Sequence, residues 1–164
     1  MKIPSKEKFP QTREFTYLNT AAEGLLSTDS RRALSVYLDA KSMGSINRPL
    51  LYQKERETVA LMARLLGAAP DTVAFLSNAT EGLNLLANSL DWKAGDEVLI
   101  TDLEFPSNVV SWLRLAERGV RLRVVEAKSG MIRLEDLVAQ INASTRLVSV
   151  SQVSYKSGTQ LPFL

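Results

Sequence analysis

Residues 73–125 read VAFLSNATEGLNLLANSLDWKAGDEVLITDLEFPSNVVSWLRLAERGVRLRVV, and the alternation within them decides the fold class. Three short runs rich in apolar and β-branched residues, at 73–76, 97–101 and 122–125, carry a strand signature. Between the first two, Leu83, Leu86, Ala87 and Leu90 recur at the i, i+3, i+4, i+7 spacing that puts side chains on one helical face. Val109, Trp112, Leu113 and Ala116 repeat that spacing between the second and third. A further stripe, Leu134, Leu137, Val138 and Ile141, leads to a fourth apolar run at 147–150. The order from residue 73 is strand, helix, strand, helix, strand, helix, strand. This predicts an α/β fold with a mostly parallel sheet and right-handed crossovers.

Upstream the pattern is helical only. Val59, Met62, Ala63 and Leu66 form a stripe that stops at Gly67, and the shorter set Leu34, Tyr37 and Leu38 predicts an earlier helix. The stretch GSINRP, residues 44–49, is the most loop-like in the chain. It divides an N-terminal arm and helix, residues 1–48, from the sheet-bearing part, residues 49–164. No internal repeat, low-complexity tract or long linker interrupts either part.

The 164 residues, 45% apolar and 23% charged, have the composition of a globular protein with material for one core. Twenty Lys and Arg against 18 Asp and Glu leave a formal charge of +2, and the basic residues are scattered, which argues against a nucleic-acid partner. The opening MKIPSKEKFPQTREF lacks the apolar segment of a signal peptide, and no run approaches the roughly 18–20 apolar residues of a membrane span. A cytoplasmic protein with no membrane contact is expected. Without cysteine or histidine the chain has no thiolate or imidazole metal ligand, no disulfide and no Ser-His or Cys-His pair, so no metal site is expected. A reactive group for chemistry would have to be borrowed.

In open α/β sheets ligands collect where strand ends meet helix starts, which directs attention to three turns. The first is Ser77-Asn78-Ala79-Thr80-Glu81-Gly82. A helix N-terminus presents unpaired N–H groups and partial positive charge, small residues let a phosphate approach, and Thr80 adds a hydroxyl. The same residues also fit a capping box of Asn78 and Glu81 that binds nothing, and the charge of Glu81 opposes an anion. In the second turn, Asp102-Leu103-Glu104-Phe105-Pro106-Ser107-Asn108, Phe105 is either a flat surface for a planar ring or a core or hinge phenylalanine, with Ser107 as an ordinary cap. The third, residues 151–159, carries Lys156 among hydroxyls, where it reads as a solvated loop lysine in preference to a reactive amine.

Three segments together resemble the class V aminotransferase family of fold type I pyridoxal-phosphate (PLP) enzymes, which includes cysteine desulfurases, isopenicillin N epimerase-like proteins and kynureninases. They are Tyr17-Leu18-Asn19-Thr20-Ala21-Ala22, the turn and helix start from Ser77 to Asn84, and Glu104-Phe105-Pro106-Ser107-Asn108-Val109-Val110 with Trp112. The resemblance runs from Tyr17 to the end of the chain. It implies an incomplete, mostly parallel sheet from the first part of the family's PLP-binding large domain, preceded by a helical arm. It further implies PLP as cofactor, an amino acid as substrate and a homodimer. Carried over by position, Ala79 and Thr80 fall on the cofactor phosphate, Phe105 on its ring, Tyr155 near its phenolic oxygen, and Ala21 and Ala22 beside the substrate. Phe105 and Gln152 stand where desulfurases usually have histidine, and Tyr155 where they usually have asparagine. These departures favour the aminotransferase, epimerase-like and kynureninase-like branches.

In this family the ring-nitrogen aspartate, the Schiff-base lysine and the substrate-clamping arginine come later than residue 164, and Lys156 is too early for the family lysine. No catalytic residue is therefore assigned, and the expected function is the N-terminal part of a PLP-dependent enzyme acting on amino acids, not catalytically competent by itself. The run at 73–76 is expected to neighbour a strand from outside these residues. The alternative is a short non-catalytic α/β module that binds a phosphorylated ligand or a partner subunit.

Overall fold

The computed structural model describes residues 6–162. They form two compact units, Met1–Phe75 and Leu76–Leu164.

In the first unit, α1 (Thr28–Ser42) and α2 (Arg48–Leu66) are joined by a 3-10 turn over Gly44–Asn47. Ser27 caps α1 by accepting the Ser30 N–H at 3.0 Å. Part of the loop-like GSINRP stretch is therefore helical, because Pro49 sits in the first turn of α2, where a missing N–H costs no bond. Gly67 ends α2 at φ 63°, and its N–H turns back to the carbonyls of Ala63 and Arg64. The division expected at residue 48 falls at the first residue of α2, inside this unit. The two helices bury Ala40 and Ala63. An open groove of about 1240 Å³, lined by residues of both helices including Arg32, Tyr37 and Leu51, runs along them.

The second unit holds α3 (Ala79–Ser89), β1 (Glu97–Thr101), α4 (Ser107–Leu113), β2 (Arg121–Val125), α5 (Leu134–Val138) and β3 (Thr145–Val148). The strands lie in the order β2-β1-β3, and both pairings are parallel, with Leu99 beside Arg123 on one side and Val148 on the other. As the central strand, β1 is buried along its whole length. Alternate residues of a strand face opposite sides, so Val98 and Ile100 enter one core with Ala87, Trp92, Trp112, Leu115 and Val120. Leu99 enters the other, with Val125, Ile132, Leu137 and Leu161. The helices follow from connection handedness. The step from β1 to β2 goes one way across the sheet and that from β2 to β3 goes the other, so two crossovers of the same hand must place α4 and α5 on opposite faces. Trp112 of α4 and Leu137 of α5 lie in opposite cores accordingly.

One predicted strand does not form. Residues 73–76 have no strand partner among the described residues, although Val73 is extended at φ −112°, ψ 126°. An apolar run becomes a strand only when a neighbour pairs its N–H and C=O groups, and here Phe75 and Leu76 stay about half exposed.

At the amino edge of the sheet, Glu97 is buried between two cations and an amide. Its carboxylate meets Arg121 at 2.8 Å and Arg123 at 3.0 Å and accepts the Asn142 side-chain N–H at 2.9 Å. The Asn142 hydrogen bond, followed by the two guanidinium groups, holds the carboxyl below its usual 4.5. A carboxyl whose pKa is lowered by folding adds stability above the unfolded value, and that share is lost as pH falls through the folded value. Urea unfolding of the wild type and Glu97→Gln between pH 7 and pH 2 tests this. The gap between them is expected to be full at neutral pH and to close progressively below about 4.5. A gap independent of pH would show that the charge of Glu97 contributes nothing.

Candidate functional site

The carboxyl edge of the sheet collects two of the three turns singled out by sequence, and α3 brings the third to the same edge. A chain leaving α3 must reverse through residues 90–96 to enter β1. Trp92 fixes that reversal by donating its indole N–H to the Ala87 carbonyl at 2.7 Å. The 11 residues of α3 and the 5 of β1 each span about 16 Å, so the first turn of α3 lies toward the carboxyl end of β1. Leu83 and Ala87 hold α3 to the sheet on the Val98 and Ile100 face.

That first turn forms the cap its sequence offers and leaves two amides beside it. Asn78 caps α3 by accepting the Glu81 N–H at 2.9 Å, and the Glu81 carboxylate reaches back to the Ser77 N–H at 2.9 Å and to its hydroxyl. These Ser77 hydrogen bonds lower the Glu81 pKa, so its charge is held on the Ser77 side of the turn. The cap uses the third amide of the helix and leaves the first two. The N–H groups of Ala79 and Thr80 and the Thr80 hydroxyl find no acceptor or donor among the described residues. Ala79 is exposed and Thr80 is half-buried.

At the β1–α4 turn Phe105 is 53% exposed and is packed into neither core of the described residues. The Tyr155 ring meets it edge-to-face, centroids 5.1 Å apart at 78°. Tyr155 is presented by a tight turn in which the Ser154 N–H donates to the Thr159 carbonyl, and Val153 and Gln160 form an antiparallel bridge. Lys156 donates from Nζ to the Asp102 carbonyl at 3.1 Å and lies 5.9 Å from the Tyr155 ring centroid. Gln152 is exposed in the same loop. Ala21 and Ala22 are exposed residues of the first unit.

Sequence patterns assign no role of their own to Glu104 and Asn108, yet these two residues are the hub beneath Phe105. Glu104 is 5% exposed. Its carboxylate accepts from the Thr101 hydroxyl at 3.0 Å, the Asn108 amide at 2.8 Å, and the Ser151 N–H at 2.9 Å and hydroxyl at 2.7 Å. The Asn108 carbonyl oxygen accepts in turn from the Trp112 indole at 3.0 Å and from the Ser149 hydroxyl. A signal was available: Glu104, Asn108 and Trp112 stand four residues apart, the spacing of neighbours on a helix.

A parallel α/β sheet with free helix amides and an exposed aromatic at its carboxyl edge offers donors for an anion and an apolar face for a planar ring. The chain belongs to the aminotransferase class-V family, whose model matches residues 40–163. It is similar to a probable cysteine desulfurase of Methanothermobacter thermautotrophicus, 31% identical over 94% of this chain and 40% of that protein. It is also similar to an uncharacterized aminotransferase of Schizosaccharomyces pombe, 29% identical over 95% of this chain and 39% of that one. Among solved structures, a substituted form of C-DES with glycine covalently linked to its PLP cofactor superposes at a TM-score of 0.84 with 26% identity, over 98% of this chain and 44% of C-DES. The chain thus spans about 40% of the length of these relatives.

Proposed function

We propose that residues 1–164 supply the phosphate-binding turn and the ring-stacking wall of a PLP site, in a protein that acts on an amino acid at its α-carbon. The observation that carries this reading is the pair of unpartnered amides at Ala79 and Thr80 on the sheet edge that exposes Phe105. Two N–H donors and a hydroxyl at a helix N-terminus suit a phosphate dianion. Phe105 covers one face of the pyridine ring, and the Tyr155 hydroxyl, with no partner among the described residues, donates to the phenolic oxygen. Ala21 and Ala22 border the substrate, where small side chains leave room for it. PLP supplies the electron sink for bond breaking at the α-carbon when it is bound. This chain binds and orients it.

No catalytic residue is assigned here. Lys156, which donates to the Asp102 carbonyl, comes too early in the chain for the family's anchoring lysine, so the reading gives it no catalytic role and takes the chain alone as not competent for turnover. Phe105, Gln152 and Tyr155 supply no imidazole at this edge, which speaks for transamination or a related step, whereas the cysteine desulfurases among its relatives support a desulfurase-like one. The reading assigns residues 49–164 to the large domain and a homodimer to the whole protein. Apolar side chains exposed on α1 and α2, among them Val36, Leu38, Leu61 and Leu65, support the dimer. The reading includes a cytoplasmic location; no helix among the described residues is long and apolar enough to cross a membrane.

Titration of the purified chain with PLP, followed by borohydride reduction, tests the proposal. Saturable binding is expected, weakened about two- to tenfold by Phe105→Ala and also weakened by Thr80→Ala. No stoichiometric lysine adduct and no turnover of amino acids are expected. Unchanged binding in both variants, or an adduct on Lys156, would overturn it. A phosphate monoester without a ring that bound as tightly as PLP would favour the non-catalytic module instead.

A further inference from the structure

We propose that Glu104 is a positioning residue, a buried latch that sets the Phe105 and Tyr155 rings against each other. The proposal rests on the reading of Phe105 as the ring-stacking wall. Three chain segments converge on its carboxylate: the end of β1 through Thr101, the start of α4 through Asn108, and the loop after β3 through Ser151. Phe105 follows Glu104 directly, and its carbonyl accepts the Asn108 N–H at 2.8 Å. Tyr155 lies four residues beyond Ser151. One side chain therefore joins the two loops that carry the aromatic pair, across 47 positions of sequence.

The cage is made only of donors. Trp112 and Ser149 both donate to the Asn108 carbonyl oxygen, which fixes the amide so that its NH₂ faces Glu104 and the Ser149 carbonyl. The Ser151 backbone N–H is shared between the two carboxylate oxygens, at 2.9 and 3.1 Å. No ion pair to Glu104 is found among the described residues. Hydrogen bonds to an ionised acceptor are roughly twice as strong as neutral ones, so a carboxylate holds three segments more firmly than a neutral side chain would. Glutamine retains part of the arrangement. Its oxygen still accepts from Asn108 and the Ser151 hydroxyl, and its NH₂ can face a Thr101 hydroxyl turned to accept, but the same NH₂ meets the Ser151 N–H donor to donor.

The edge-to-face ring pair gives a direct readout, because each ring shifts the NMR resonances of the other. With ¹³C-labelled tyrosine, Tyr155 is assigned among the four tyrosines by Tyr155→Phe. The Ile100 methyl reports the core independently. In Glu104→Ala the Tyr155 ring-proton shift is expected to fall to that of an unfolded peptide while the Ile100 methyl keeps its native position. Glu104→Gln is expected to restore part of the Tyr155 shift, between those of Glu104→Ala and the wild type. Ser151→Ala, which deletes one bond at the rim of the cage, is expected to move it part of the way. An unchanged Tyr155 shift in Glu104→Ala or Ser151→Ala overturns the latch. So does loss of the Ile100 shift together with that of Tyr155, which would make Glu104 a general stabiliser only. PLP titration of the same variants separates the two proposals. A Tyr155 shift that responds as expected in a chain that binds no PLP leaves the latch standing and overturns the cofactor reading.

Discussion

Trp112→Ala is expected to destabilise the second unit by about 3–5 kcal/mol, a large part of the roughly 5–15 kcal/mol that holds a small domain together. Trp112 is 1% exposed and packs with Val98, Ile100, Leu115 and Val120, so truncation leaves a cavity flanked by the central strand, which cannot collapse without breaking its ladder. The loss reaches the site. Without the indole N–H, Asn108 keeps one donor, the Ser149 hydroxyl, and the amide that faces Glu104 is held less firmly. Trp112→Phe separates the two effects, since it fills most of the volume and removes only the hydrogen bond, for about 1–2 kcal/mol. Urea unfolding of the three proteins is the measurement. A loss below about 1 kcal/mol in Trp112→Ala would mean that this core tolerates the void.

Gly119→Ala is expected to cost about 2–5 kcal/mol, although it adds a single methyl group. Gly119 has φ 77°, a conformation that costs an L side chain about 1–2 kcal/mol. A Cβ there would also lie 3.0 Å from the Ala94 Cβ and 3.2 Å from its Cα. The backbone cannot give way, because the Gly95 N–H donates to the Gly119 carbonyl at 2.9 Å and the Arg121 N–H to that of Asp96 at 2.9 Å. Those bonds align the entries of β1 and β2. Gly67→Ala is the control. Its φ of 63° is similar, but nothing lies within 4 Å of the point a Cβ would occupy, so only the conformational cost of about 1–2 kcal/mol is expected. Equal losses at the two positions, measured by thermal unfolding, would show that the close approach to Ala94 adds nothing.

Local periodicity made much of the second unit legible. The stripe through Leu83 and Ala87 became α3, and the runs at 97–101 and 122–125 became two paired strands, because side-chain spacing of 3.6 or 2 residues states which face is apolar without reference to any other segment. The helix stripe starting at Val109 extended less far than its spacing indicated. The α-helix ends at Leu113 and continues as a 3-10 turn to Arg118, since Gly119 must close against Ala94. The capping of α3 by Asn78 and Glu81 was equally legible, being a contact between residues three apart.

By itself the sequence determined the fold class, the direction of the strands and the presence of a small-residue helix start after residue 76, all of which rest on patterns shorter than about 20 residues. Tertiary structure decided the rest. The apolar run at 73–76 has the composition of a strand, but pairing is a property of two segments, and no described segment supplies its partner. The meeting of Phe105 with Tyr155, and of Glu104 with Ser151, joins positions about 50 apart across the end of the sheet. Such contacts are set by strand order and register, which place β1 between β2 and β3, and only the packed molecule fixes that order.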